Sequence, residues 1–450
     1  MRKIYVLLVT VLLFAAEIAA HNTPLPASNI PVRTLDLLGP SISYTLLGQS
    51  GCLTSRELNA SITDVDGVDT NPGTKPRLYF QRAGDGNVWI DNTNATFGWK
   101  YVEATNTTSP FNFVIDYTLL NGGVISGQTI QYFVIAQDLA ATPNIGLSSA
   151  TTFAVAPTTV ALTAANFPAG GAINFYSIIN TLPTFLQVGA AGDFPTLTAA
   201  GGLFNVINNI GLSGNTTVEI IDPVITENNA FPLNQVQNTG CGAGAVSLLI
   251  KPAAGLSPTI TGSRSNEPII RVLSSNVTID GSNNGTTSRD LTLTNTNATS
   301  PSVILFGSLN SATAINNATL KNTICINTLS ITNCVVISDG NVGGNPGYFN
   351  NITIENNSIQ KSSIGINCAA VPASGNGSVL ITGNDLNASG ASQIGAVGIY
   401  MEGLDGATVS NNNIGNFETA ITSPRYGIWM NFNNINCTVT NNNISNIGYT

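Results

Sequence analysis

The pattern apolar-x-x-Asn-x-apolar recurs near the C-terminal end of the chain, at 354–359, 381–386, 409–414 and 439–444. Its Asn anchors are Asn357, Asn384, Asn412 and Asn442, in steps of 27, 28 and 30 residues, with a degenerate earlier copy at Leu320, Thr323 and Cys325. A period of this length, built from strand-type residues around a turn-type Asn, predicts a parallel β-solenoid. Each apolar residue points into a shared interior, and the next coil places its equivalent directly above at the strand spacing of about 4.8 Å. The Asn anchors are expected in the left-handed turn conformation, passing amide hydrogen bonds from coil to coil as a structural ladder. Runs such as 411–413 and 441–443 also invite a metal or sugar reading, but a ladder recurs in every coil and a binding site does not.

A second block runs in phase with the first. Gly365-Ile366-Asn367-Cys368, Gly398-Ile399-Tyr400-Met401 and Gly427-Ile428-Trp429-Met430 read as a strand with two inward positions. Cys368, Met401 and Met430 are then stacked core filler. Metal ligation by these sulfurs lacks any Cys-x-x-Cys spacing in support.

Charged residues make up only 9% of the 450-residue chain, against 43% hydrophobic ones, which suits short strands and turns rather than helical bundles. A net charge of −9 offers no basic surface to phosphates, so nucleic acid is not an expected partner. Residues 1–20 combine Arg2 and Lys3, an apolar stretch over 6–16, and Ala19 and Ala20, the make-up of a secretory signal with a linker at 21–40 after it. The expected location is therefore secreted or cell-surface, and no segment of the mature chain is long and apolar enough to cross a bilayer. Six cysteines follow, at 52, 241, 325, 334, 368 and 437. Cys334 and Cys368 each lie 11 residues beyond their coil's anchor position, which predicts that they stack; a disulfide and a free pair both fit, free thiols being preferred.

Residues 41–156 read as an antiparallel β-sandwich of immunoglobulin-like or fibronectin-like type, with strands at 41–47, 56–63, 77–82, 99–104, 111–117, 128–137 and 149–155. The alternation over 131–136 predicts a central strand buried largely on one side. Asp64, Asp66 and Asp69 crowd one turn and could hold calcium, the one cofactor the sequence suggests. Gly67 at the fourth place and Lys75 at the twelfth break the EF-hand template, which favours a solvated turn. Residues 157–190 read as a connector and 191–450 as the solenoid. Leu203, Phe204, Ile207 and Ile210, at helical spacing, predict a short amphipathic helix closing its end.

The stretches GDFPTLTAA at 192–200, NTTVEII at 215–221, SLLIKPAAGLSPTITG at 247–262 and SSNVTIDGSNNGTTSRDLTLTNTN at 274–297 resemble the opening of right-handed parallel β-helix proteins of the pectin-lyase-like superfamily. More narrowly, residues 40–450 resemble large secreted surface proteins of the Bacteroidetes, in which a sandwich precedes a β-helix. The resemblance implies an architecture shared by polysaccharide lyases, hydrolases, adhesins and stalks, and so does not fix an activity.

Polygalacturonase-like members of that superfamily carry Gly-His-Gly and Arg-x-Lys motifs; neither occurs here, and the single histidine is His21 at the signal border. That also removes a Ser-His-Asp triad. The solenoid's acids, among them Glu355, Asp385 and Glu402, form no recognisable catalytic set by coil phase. Tyr400 and Trp429 share one outward position on adjacent coils, and an exposed aromatic stack binds sugar faces or another protein. The expected function is a non-catalytic exported scaffold or adhesin that binds a polysaccharide or a surface protein. The alternative is a calcium-dependent polysaccharide lyase of the pectate-lyase type. With no polar cap after Tyr449, the repeat is expected to continue beyond Thr450.

Overall fold

The computed structural model describes residues 38–449 apart from 230, 243, 329–331, 342 and 420–423; the expected signal segment, most of the linker and His21 lie outside the described residues. Among the described residues the protein is all-β with one short α-helix, an antiparallel sandwich being followed by a parallel solenoid.

Among the described residues three long parallel sheets wrap the solenoid, and Ile315–Asn316 with Phe349–Asn350 forms a short fourth pair. Nine strands run from Phe185–Val188 to Thr438–Thr440, eight from Val224–Thr226 to Asn443–Tyr449, and six from Pro268–Val272 to Tyr426–Met430. Alternation drives each strand: in Thr216–Ile220 every second residue is buried. Inward residues stack in columns, as Leu186, Val218, Ile250, Ile279, Leu320, Ile354, Ile381, Val409 and Val439 do through the nine-stranded sheet. A continuous aliphatic column loses its water all along the axis, at about 25 cal/mol per Å² of apolar surface removed. The outward side of the same sheet alternates charge: Glu219 sits beside Lys251 (3.2 Å) and Lys321 beside Asp280 (3.1 Å), with Glu355 next in register.

Asn357, Asn384, Asn412 and Asn442 occupy one corner. Each Nδ2 donates to the Oδ1 of the next, at 3.0, 3.0 and 2.9 Å, and also to a main-chain carbonyl of the preceding coil. Thr323 ends the series, its hydroxyl donating to Asn357 Oδ1 at 2.7 Å. The left-handed conformation falls one residue earlier than expected, on Asn322, Asn356, Gly383, Asn411 and Asn441. That frees the anchor to turn its amide inward while its neighbour makes the bend. A second, exposed ladder joins Asn276, Asn317 and Asn351.

Cys368 and Met401 stack in the core as expected; Met430, next in register, is 45% exposed and is not core filler. Cys334 does not lie under Cys368, contrary to the sequence count: Ile337 does. Six residues separate Thr323–Ile326 from Asn333–Ile337, whereas three separate Ser358–Gln360 from Ile364–Ala369, and this difference of three shifts the register.

Leu203–Ile210 is the α-helix, and Leu203, Phe204 and Ile207 join the core that includes Leu186 and Val188 of the first coil. The segment leading into it is tied to the solenoid by Glu227, a fully buried carboxyl that accepts the amides of Leu197 (2.6 Å) and Thr198 (2.9 Å) and the Thr198 hydroxyl. Burial raises the Glu227 pKa above its ordinary 4.5 despite these donors. A carboxyl raised on folding contributes stability that is full below its unfolded pKa and is lost as pH rises through the folded one. The stability of the wild type relative to Glu227→Gln is therefore expected to fall between pH about 4 and about 8, read by urea denaturation at both. A flat or rising difference contradicts it.

The sandwich pairs a three-stranded sheet (Ser41–Ser43, Ser55–Thr63, Phe111–Asp116) with a five-stranded one built on Thr129–Gln137 and Arg77–Arg82. Leu58, Ile62, Phe113, Phe80, Tyr132 and Val134 fill the space between. Contrary to the one-sided burial expected over 131–136, the other face of the central strand is covered too. Phe133 and Ile135 pack with Tyr79, Trp99, Val160, Leu162 and Phe167, so part of the presumed connector serves as a second cover. Asn174–Ser177 then pairs with Thr129–Gln137 before the first solenoid strand begins. Cys52 and Cys241 form a disulfide across 189 residues, joining the sandwich to the solenoid; the other four cysteines are free. No helix among the described residues is long and apolar enough to cross a membrane.

Candidate functional site

The outer face of the six-stranded sheet carries a column in register: Arg271, Leu305, Val336, Asn367, Tyr400 and Trp429. Its middle is closed, Leu305, Val336 and Asn367 being at most 5% exposed. The backbone of Gly343 lies over Asn333 and Asn367, so near that a Cβ there would stand 2.6 Å from the Asn333 amide. Only past this loop does the column open, with Tyr400 half-buried and Trp429 36% exposed.

At the open end, Trp429 meets Tyr400 edge to face, with ring centroids 5.2 Å apart at 88°. On its other side it stacks on Tyr426, at 4.7 Å and 26°. The Tyr400 hydroxyl donates to Glu402 Oε2, and Asn431 Nδ2 donates to both, at 2.6 Å to the hydroxyl and 3.2 Å to the carboxylate. Burial first, and then the Glu402 carboxylate, hold the Tyr400 pKa above its ordinary value, so it stays a neutral donor. The result is a flat aromatic pair beside a carboxylate and an amide, which offers apolar faces to C–H groups and acceptors and donors to hydroxyls.

Tyr426 was not singled out in the sequence, because alternation puts a residue three places before an outward Trp429 on the inner side. The alternation slips at the glycine of the Gly-Ile-x-(Cys or Met) block. A Cβ on Gly398 would stand 2.6 Å from Ile414, and one on Gly427 the same distance from Ile444. The glycine therefore faces the core along with the isoleucine that follows, and the residue before it faces out. Three glycines at equivalent positions, each followed by an inward isoleucine, were the available signal.

The three aspartates of the sandwich turn do not converge. Asp64 Oδ1 caps the amide of Asp66 at 2.8 Å, and Asp66 is exposed. Asp69 is buried and accepts the Asn71 amide (3.0 Å), the Asn71 side chain (2.8 Å) and Gln137 Nε2 (3.2 Å). Among the described residues no group of three or more His, Cys, Asp and Glu side chains is placed to hold a metal ion. Asn357, Asn384 and Asn412, at most 1% exposed, are turned into the wall of the solenoid and present nothing to a ligand. No family model, curated protein or solved structure matches the chain.

Proposed function

We propose that the protein is an exported scaffold that binds glycans through Tyr400, Tyr426 and Trp429, with Glu402 and Asn431 as the polar rim. The observation that carries this reading is the Tyr426–Trp429 stack, exposed on a rigid sheet and bordered by a carboxylate already aligned by two donors. Sugar rings offer one C–H-rich face and a rim of hydroxyls, and this pairing of an aromatic plane with acceptor and donor side chains complements both. Rings held by parallel strands lose little conformational freedom on binding, which favours affinity from a small contact. The signal-like N-terminus supports export, and the long solenoid supports a role as spacer that displays the site.

A glycan array tests the reading. The wild type is expected to retain a defined subset of saccharides, and Trp429→Ala to weaken that binding about tenfold or more, the equivalent of some 1.4 kcal/mol. Trp429 lies on the outer face, so its removal leaves the core columns intact, and an unchanged melting curve is expected alongside the lost affinity. A wild type that retains no saccharide on the array refutes the proposal.

A further inference from the structure

The other end of the same outward column holds a cation without a counter-charge. Arg271 is half-buried at the wall of a cleft of about 180 Å³, lined also by Leu273, Leu305, Ser308, Asp339 and Asn341. Among the described residues its guanidinium makes one hydrogen bond, from Nη2 to Asn341 Oδ1, and forms no ion pair with a carboxylate. The nearby Arg264 guanidinium adds to the positive potential; its own partner is Glu267. In a chain of net charge −9, a guanidinium that is partly withdrawn from water and left with one neutral acceptor is unusual. Arginine cannot shed its proton to escape that environment, so an anion is what would satisfy it.

The rest of the cleft narrows the ligand. Ser311, Asn310 and Asn341 supply hydroxyl and amide groups, while the Ser308 hydroxyl is engaged with the Tyr348 main chain. Asp339 has one oxygen occupied by the Ser308 amide at 2.7 Å, and as a carboxylate it accepts hydrogen bonds and repels anions. Leu273 and Leu305 give an apolar floor. A ligand that satisfies all of these carries an oxoanion for the guanidinium and, on the same small skeleton, hydroxyls for Asp339 and the amides. We infer that the Arg271 cleft is a binding site for a hydroxylated oxoanion, a carboxylate or sulfate ester carried on a sugar-sized molecule.

The site is separate from the aromatic cluster. Four coils at about 4.8 Å put Arg271 roughly 19 Å from Tyr400, and the loop carrying Gly343 closes the face between them. It therefore stands or falls independently of the aromatic site.

Titration calorimetry with the full chain tests it, using glucuronate, glucose 6-sulfate, glucose and inorganic sulfate as probes. Glucuronate or glucose 6-sulfate is expected to bind saturably and at least about tenfold more tightly than glucose, as a charge-assisted bidentate contact requires. The two sugar anions distinguish a carboxylate from a sulfate ester, and inorganic sulfate binding equally well would assign the site to a free anion and overturn the hydroxyl part of the inference. Arg271→Gln is expected to abolish the preference for the charged sugar, Arg271→Lys to keep part of it, and Trp429→Ala to leave it untouched. Arg271→Gln also removes an uncompensated charge, so its melting temperature is expected to equal or exceed the wild type's. Indifference to charge among the sugars, full binding by Arg271→Gln, or no binding of either sugar anion refutes the site. A lower melting temperature for Arg271→Gln with unaltered binding assigns Arg271 to holding the Asn341 loop instead.

Discussion

Replacing Cys52 and Cys241 together by serine is expected to lower the free energy of unfolding by about 5 kcal/mol, the loop-closure entropy that a cross-link of this span removes from the unfolded chain. The span of 189 residues takes in most of the sandwich and the first coils, so few other bonds in the protein restrain so much chain. Among the described residues, hydrogen bonds at the junction run from the Gly51 amide to Thr239 O at 2.6 Å and from Gln49 Nε2 to Asn209 O at 2.9 Å. A cleft of about 300 Å³ lined by Arg56, Glu57, Asn59 and Asn238 opens beside Cys241, and the cystine bridges what packing does not. Urea denaturation of the oxidised wild type and the double serine variant measures the loss. Two separated transitions in the variant, against one in the wild type, are the further expected sign that the bond couples the two parts. Coincident midpoints for the two proteins would show that the junction is held without it.

That bond illustrates what the sequence withheld. Two cysteines 189 residues apart carry no mark of their pairing, whereas Asn357, Asn384, Asn412 and Asn442 announce theirs by period. Repetition makes a solenoid legible because each coil must put the same residue type at the same corner, and the same logic made the register of Cys368, Met401 and Met430 readable, though only the first two are buried. Where the repeat is locally irregular the reading fails. Cys334 was misplaced by three residues of extra corner, and Tyr426 was hidden by a slip of alternation at Gly427 that only the inward space beside Ile444 reveals. Single charges about a coil apart carry no visible link in the sequence, yet Glu219 and Lys251 meet in register. Long-range cover is the least visible: nothing in 131–136 tells that Val160, Leu162 and Phe167 will close its second face. The same holds for the site, since alternation finds Tyr400 and Trp429 but cannot tell which loop seals Asn367 below them.

Asn384→Ala is expected to cost about 3–5 kcal/mol, more than the same change in the exposed ladder at Asn351, where about 1–2 kcal/mol is the scale because Asn351 also holds a left-handed bend (φ 54°) that alanine disfavours. The contrast follows from the bonds Asn384 makes at the buried corner, which include one from Nδ2 to Thr382 O at 3.2 Å. Asn384 Oδ1 accepts both the main-chain amide of Asn357 (2.9 Å) and its side chain (3.0 Å). Its Nδ2 donates to Ile354 O at 2.8 Å and to Asn412 Oδ1 at 3.0 Å. Truncation strands an amide N–H, a carbonyl and two side-chain groups at a site that is 1% exposed, and an unsatisfied buried group costs about 1–3 kcal/mol. Asn351, in contrast, sits at an exposed corner where water replaces the partner. Asn384→Asp separates the two halves of the amide. It keeps the shape and the acceptors but turns the donor into an anion facing Ile354 O and Asn412 Oδ1, so it is expected to destabilise at least as much as alanine at neutral pH, and less in acid where the carboxyl regains a proton. Urea midpoints of the three variants decide the matter. Should Asn384→Ala cost no more than Asn351→Ala, the buried amide column is ornament and the aliphatic stack alone holds the coils in register.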